Sequence, residues 1–202
     1  MTSYTYNPSK PKTAANYPLI GNPYHHYYPT RNKRILMAVQ HITAGSSDFD
    51  GLDGSAEATL RFSSSTATKA SYHGIVDSDT IQDCLPDDYT AWAQGVSGHN
   101  FNSPGLSQEL GLKSPDWTKA PQTWIDKVIR NSAKWWAPRV KKYGIPLVVQ
   151  TDRAKIDRLI AADQMVGFVE HHVLDPINRS DAGYVTATKT TFPWSLLFQY
   201  IK

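Results

Sequence analysis

The chain has 202 residues, a net charge of +3, 40% hydrophobic residues and 19% charged residues. This length and composition are typical of one globular domain with a buried core. The chain has no run of five or more Lys or Arg, which would indicate nucleic-acid binding. No apolar run reaches the ~18 residues of a membrane span. The mildly basic charge suits an anionic polymer, and the single cysteine excludes an intrachain disulfide. We therefore expect a monomer without nucleic acid and without stable membrane insertion.

Residues 1–32 are predicted to form an extended arm, because prolines at positions 8, 11, 18, 23 and 29 disfavour long helices and central strands. From residue 33 to residue 202 apolar segments recur. The first half of this region is predicted to contain a buried strand in RILMAVQHITAG, a short helix capped by Ser55, a hairpin of SYHGIVD and TIQDCL with Cys84 buried, and a strand in GLSQELGL.

The second half opens with the strongest helix signal. Pro121 suits the first helical position, and Trp124, Val128 and Trp135 recur at helical spacing, while Pro138 is expected to kink or end the helix. Three further elements follow. They are a strand in PLVVQ, a short helix over 152–162 and a strand in GFVEH. The alternation of strands and helices predicts an α/β or α+β protein with one central sheet.

The strand in GFVEH leads into two adjacent histidines, His171 and His172, with Asp181 ten residues beyond the first. Catalytic zinc takes three protein ligands and leaves one position open. His41, at the end of a predicted strand, is the best third candidate, and His99 in a loop is its competitor. Because successive strand side chains point to opposite faces, only one histidine of the pair should bind the metal. From the residues alone, a buried hydrogen-bonded histidine beside an exposed one is an equally open interpretation.

Six motifs follow one another along the chain in a fixed order. They are VQHITAG, SYHGIV, AWAQG, LSQELG, HHVLDPINRSDAG and FPW. Together they resemble a known family, the zinc-dependent N-acetylmuramoyl-L-alanine amidases, which includes bacteriophage endolysins and is structurally related to peptidoglycan recognition proteins. The resemblance implies an α/β fold with a single central mixed sheet flanked by helices, and it makes residues 33–202 the catalytic domain.

The resemblance also implies the metal ligands, for one zinc ion. His41 matches the family's first ligand, and the ten-residue spacing to the third ligand, Asp181, matches His171 rather than His172. The chain departs from the family's pattern at two places: Ala182 replaces a frequent Pro, and Ala93 replaces a frequent His in the tryptophan loop.

The catalytic residues that the resemblance implies are Glu109, Tyr72 and Arg179, and Trp92 is the candidate wall of the substrate cleft. Many relatives have Lys where this chain has Arg179. An arginine can stabilise an oxyanion but cannot act as a general acid, so proton transfer is expected to fall on Glu109.

The function implied is hydrolysis of the amide bond between N-acetylmuramic acid and L-alanine in peptidoglycan. We expect a phage endolysin, made in the host cytoplasm without a signal peptide and acting at the cell wall after release. Two alternatives stay open. One is a peptidoglycan-binding module without catalysis, and the other is a zinc peptidase acting within the stem peptide, which no HExxH motif supports.

Overall fold

The computed structural model describes residues 4–22, 26–43, 55–65, 70–96, 98–112, 116, 119–182 and 192–202. The strands are β1 Tyr27–Tyr28, β2 Met37–Ile42, β3 Gly74–Val76, β4 Ile81–Asp83, β5 Thr90–Ala91, β6 Gly105–Leu110 and β7 Gly167–Glu170. The helices are α1 Ser55–Ser65, α2 Gln122–Tyr143, α3 Arg153–Ala161, α4 His171–Leu174 and α5 Trp194–Ile201. None of these helices is both long and apolar enough to cross a bilayer.

A mixed sheet of five strands in the order β4-β3-β6-β2-β7 forms the centre of the fold. Strand β2 pairs in parallel with β6 and β7, β3 pairs in parallel with β6, and β4 pairs antiparallel with β3. The predicted central mixed sheet and the β3–β4 hairpin are thus confirmed. A separate ladder joins β1 and β5.

Alternate residues of β2 pack against different helices, as expected for a sheet that is covered on both faces. Ala38 and Ile42 belong to the hydrophobic cluster that includes residues of α2 and α5. Met37 and Val39 belong to the cluster that includes residues of α3. A third cluster joins α1 to the β3 side of the sheet. His41 is in the odd-numbered set of β2 and therefore lies on the α1 and α3 face.

Helix α2 differs from the sequence prediction at both ends. Pro121 is the residue before the helix rather than its first residue, and the helix continues through Pro138 to Tyr143. It ends at Gly144, whose φ of 67° places it in the left-handed region that favours glycine. Of the two outcomes predicted at Pro138, a kink or an end, the end is therefore not observed. Its neighbours Trp135 and Arg139 are fully buried, so tertiary packing stabilises the helix through this position.

Three shorter predictions also require correction. PLVVQ was predicted as a strand, but it forms only an isolated bridge between Val149 and Phe168. Ser55 does not cap α1, since its hydroxyl donates to Gly111 and the Ala56 amide is bound instead by Asp77 from the β3–β4 turn. Strand β7 ends one residue earlier than predicted, at Glu170.

A buried ionic cluster on α2 anchors the N-terminal arm. Arg139 is 1% exposed and contacts Asp83 at 2.8 Å and Asp87 at 2.9 Å. Tyr4 and Tyr6 from the arm bind the same carboxylates: Tyr4 donates to Asp83 and Tyr6 donates to Asp87. The described part of the arm therefore contacts the domain through its tyrosines.

A close contact between β3 and α2 brings this cluster against the sheet. A Cβ on Gly74 would lie 2.2 Å from the Trp135 ring, so only glycine allows this approach. The Trp135 indole donates to Asp83 at 2.9 Å, and the Arg139 guanidinium lies 3.7 Å from the same ring. Ring, guanidinium and carboxylate thus form one packed unit beside the first residue of β3.

We expect the substitution Arg139→Met to destabilise the protein by about 3–5 kcal/mol, because it leaves Asp83 and Asp87 buried without their shared cation. Urea unfolding at neutral pH measures this loss. Arg130→Met on the same helix is the matched control. Arg130 pairs with Asp126 at the surface, and its loss should change the unfolding midpoint little. Equal losses in the two variants would contradict the assigned role of Arg139.

Candidate active site

Two histidines and one aspartate converge at the carboxyl edge of the sheet. The candidate ligand atoms of His41, His171 and Asp181 all lie within 4.8 Å of one another. Asp181 Oδ2 is 3.5 Å from His41 Nδ1 and 3.3 Å from His171 Nδ1. Both histidines are buried, and the Asp181 side chain is 15% exposed. The three residues that the resemblance implied as metal ligands are therefore brought together.

The parallel strands explain how distant residues meet at this edge. The register pairs Gln40 of β2 with Glu170 of β7. His41 and His171 are each the next residue in the sequence, so they lie side by side at this edge. Their ring centroids are 4.3 Å apart. Asp181 follows from a loop, and its carboxylate also accepts a hydrogen bond from the Ile42 amide at 3.4 Å.

The chemistry of this group fits a divalent metal. The Nε2 atoms of His41 and His171 are buried without a hydrogen-bond partner, which is costly unless a further group binds there. Burial and the neighbouring His171 lower the pKa of His41 to about 4, so this ring is neutral, as a ligand must be. Burial alone would raise the pKa of Asp181, but hydrogen bonds from both histidines hold it well below its ordinary range. Two imidazoles and a carboxylate are a typical donor set for catalytic zinc.

Glu109 lies beside this group on β6. The register pairs it directly with His41, and its Oε1 is 3.9 Å from His41 Nδ1. Burial and the nearby charge of Asp181 raise the pKa of Glu109 well above its ordinary value, and Arg179 opposes the shift. A carboxyl group with a raised pKa is suited to accept and return a proton.

The other two predicted catalytic residues differ in exposure. Arg179 is exposed, and its charge is close enough to lower the pKa of both His41 and Glu109. Tyr72 is buried, and its hydroxyl contacts Ser63 of α1 at 3.2 Å. Burial raises the pKa of Tyr72, with a further contribution from Glu109. The structure does not place the Tyr72 hydroxyl within the histidine–aspartate group.

The strand-alternation premise for the histidine pair was wrong, because His171 and His172 belong to α4 rather than to a strand. His171 nevertheless faces Asp181 because side chains of successive helical residues diverge by about 100°. His73 is fully buried and lies 3.0 Å from Ser107, as expected for a core residue.

The remaining candidates lie around the site or away from it. Trp92 follows β5, is partly exposed, and its ring centroid lies 5.3 Å from that of Tyr28. His99, the competing ligand, instead stacks on Phe101 and lies 3.7 Å from Asp157. His99 therefore lies outside the His41 group. The sequence did not indicate the contact between the His172 amide and the Asp181 carbonyl, which are 2.6 Å apart.

Comparison with known proteins found a family match and several structures that share the fold. A family model described as N-acetylmuramoyl-L-alanine amidase matches residues 31–182. A comparison with curated proteins found no match. Among solved structures, the catalytic domain of XlyA is similar with a TM-score of 0.57 and 18% identity, over 93% of this chain and 97% of that chain.

Two further solved structures share the fold. A mutant endolysin from Bacillus subtilis has a TM-score of 0.54 and 17% identity, over 87% of this chain and 90% of that one. The amidase AmiD from E. coli, solved with the substrate anhydro-N-acetylmuramic acid-L-Ala-D-gamma-Glu-L-Lys, has a TM-score of 0.51 and 19% identity, over 86% of this chain and 58% of that one. At these identities the likeness establishes the fold.

Metal retention tests the ligand group. We expect His41→Ala and His171→Ala each to lose bound divalent metal after dialysis, because each removes one of three donors. Elemental analysis of the dialysed protein measures the metal content. His99→Ala is the matched control and should keep the metal content of the unaltered protein. Stoichiometric metal in His171→Ala together with its loss in His172→Ala would contradict the assigned register.

Proposed function

Because the chain belongs to the N-acetylmuramoyl-L-alanine amidase family, we propose that it uses one zinc ion to hydrolyse the bond between N-acetylmuramic acid and L-alanine in bacterial peptidoglycan. The observation that carries this proposal is the His41, His171 and Asp181 group with Glu109 beside it. The AmiD complex supports the substrate class, since its ligand contains an N-acetylmuramic acid derivative joined to L-Ala.

His41, His171 and Asp181 would hold the zinc ion. Zinc bound by three protein ligands lowers the pKa of water to roughly 7 and polarises a carbonyl oxygen. The protein contributes burial, which strengthens electrostatic interactions at the site. It also contributes the Ile42 amide, which helps to orient the Asp181 carboxylate.

Glu109 is the proposed proton carrier. It accepts a proton from the attacking water and donates one to the departing nitrogen of L-alanine. Two features support this role: its position opposite His41 in the β2–β6 register and the raised pKa that burial gives it. A proton carrier of this kind typically contributes about 10²–10⁴-fold to the rate.

Arg179 and Tyr72 are assigned supporting roles. Arg179 would stabilise the oxyanion by its charge, and its exposure leaves its side chain free to reach a bound substrate. Tyr72 stays protonated because burial raises its pKa, so its hydroxyl can donate a hydrogen bond. To act on water or substrate, this hydroxyl would have to leave its present partner, the Ser63 hydroxyl. We therefore expect Tyr72→Phe to slow catalysis less than loss of Glu109.

Trp92 is proposed as a wall of the substrate cleft. Its ring is partly exposed and packs against Tyr28, and its indole Nε1 is buried without a hydrogen-bond partner. A partly exposed aromatic surface suits the apolar face of a sugar or peptide.

The proposed biological role is that of a phage endolysin that acts at the host cell wall as a monomer. Support comes from the motif resemblance and from the fold shared with the B. subtilis endolysin. The mildly basic net charge of +3 is compatible with a polyanionic wall.

Digestion of purified cell walls tests the reaction. We expect release of L-alanine amino termini without new reducing sugar ends, and loss of this release on adding a chelator. Binding without new amino termini would favour the recognition-module alternative, and a different amino terminus would favour the peptidase alternative. Either result would reject the proposed reaction.

A Glu109→Gln variant tests the proton carrier. We expect kcat to fall by about 10²–10⁴-fold while zinc content stays the same, because the amide cannot take up the proton. Glu57→Gln is the matched control, since Glu57 lies on α1 and contacts Thr80. A Glu109→Gln enzyme with unchanged kcat would assign proton transfer to another residue.

A further inference from the structure

The backbone carbonyl of Asp181 is held by the second histidine of the adjacent pair. The His172 amide donates to this carbonyl at 2.6 Å, and His172 Nδ1 lies 3.2 Å from the same oxygen. His171, one residue earlier, lies 3.3 Å from the Asp181 carboxylate. The two histidines therefore contact opposite ends of one aspartate.

The same nitrogen of the His172 ring also lies beside Glu170. His172 Nδ1 is 3.2 Å from Glu170 Oε2, and the Glu170 side chain is 4% exposed. The other carboxylate oxygen of Glu170 accepts a hydrogen bond from the Trp194 indole at 2.8 Å. A continuous set of polar contacts thus runs from α5 through the end of β7 to Asp181.

The place of this set in the fold suggests what it does. Glu170 is the last residue of β7 and pairs with Gln40 in β2, so its backbone is fixed by the central sheet. Asp181 lies at the end of an exposed segment, 176–180, that adds little burial to hold it. The buried carboxylate of Glu170 can therefore fix the His172 ring, and the ring can in turn fix the position of Asp181 on its loop.

We propose that Glu170 and His172 form a positioning pair that orients Asp181 toward His41 and His171. This inference rests on the proposed function, in which Asp181 binds the metal. Neither residue of the pair donates an atom to the metal. Fixing the Asp181 carbonyl restricts rotation of its backbone and so reduces the entropy lost when its carboxylate binds. Such outer contacts typically change metal affinity by about 10–100-fold.

The substitution His172→Phe tests the pair, because it keeps a ring and the backbone amide but removes Nδ1. We expect zinc affinity, measured by competition with a chromogenic chelator, to fall by about 10-fold, at the low end of the usual range since the amide contact remains. The urea midpoint of the metal-free protein should fall too little to account for the lost affinity, because the Trp194 indole still binds Glu170. His172→Asn, whose side-chain amide can donate from a similar place, should recover most of the affinity.

His99→Phe is the matched control and should leave zinc affinity unchanged, because His99 contacts Phe101 and Asp157 instead. Glu170→Gln should also weaken zinc binding. The double variant with His172→Phe should bind no more weakly than His172→Phe alone, because the two residues act as one unit.

Three results would overturn the inference. They are unchanged zinc affinity in His172→Phe, a fall in the metal-free urea midpoint that accounts for the lost affinity, and equal affinities for the Phe and Asn variants. An unaltered protein that binds no zinc would instead reject the proposed function, and the positioning role with it. The two failures are therefore distinguishable.

Discussion

The parallel pairing of β2 with β6 on one side and β7 on the other is the constraint on which the candidate site depends. It places Glu109 directly opposite His41 and brings the end of β7 beside the end of β2. Parallel strands present their carboxyl ends at the same edge, so residues far apart in sequence meet there without local sequence signals. A shift of this register by one residue would turn His41 toward the face covered by α2.

The face covered by α2 holds the sheet in that register. Gln40 is fully buried, accepts a hydrogen bond from the Trp136 indole at 3.0 Å, and donates to the Gln108 carbonyl of β6 at 3.0 Å. Ser132 of α2 donates to the Gln108 side chain at 2.6 Å. These buried polar groups satisfy one another, and such networks specify one arrangement because an unpaired member is costly. His41 and its neighbour Gln40 thus serve opposite faces of one strand.

The sequence indicated the site residues better than it indicated their local structure. The family resemblance implied His41, His171 and Asp181 as metal ligands, and the structure groups them. The reasoning from strand alternation failed, because a helix begins at His171. Pro138 shows the same limit, since burial of its neighbours outweighs the local cost of a proline in a helix. Local structure depends on tertiary contacts as well as on intrinsic propensity, and the sequence pattern does not reveal those contacts.

The sequence by itself determined the class of the fold, the donor types and the family, because apolar periodicity and ordered motifs are local properties of the chain. Only the tertiary structure decided which part of Asp181 each of the two adjacent histidines contacts. His171 faces the Asp181 carboxylate while His172 holds its carbonyl and contacts Glu170. The physical reason is that both contacts depend on how the loop returns Asp181 to the end of β7. That return is fixed by packing and hydrogen bonds across the fold, which spacing along the chain cannot specify.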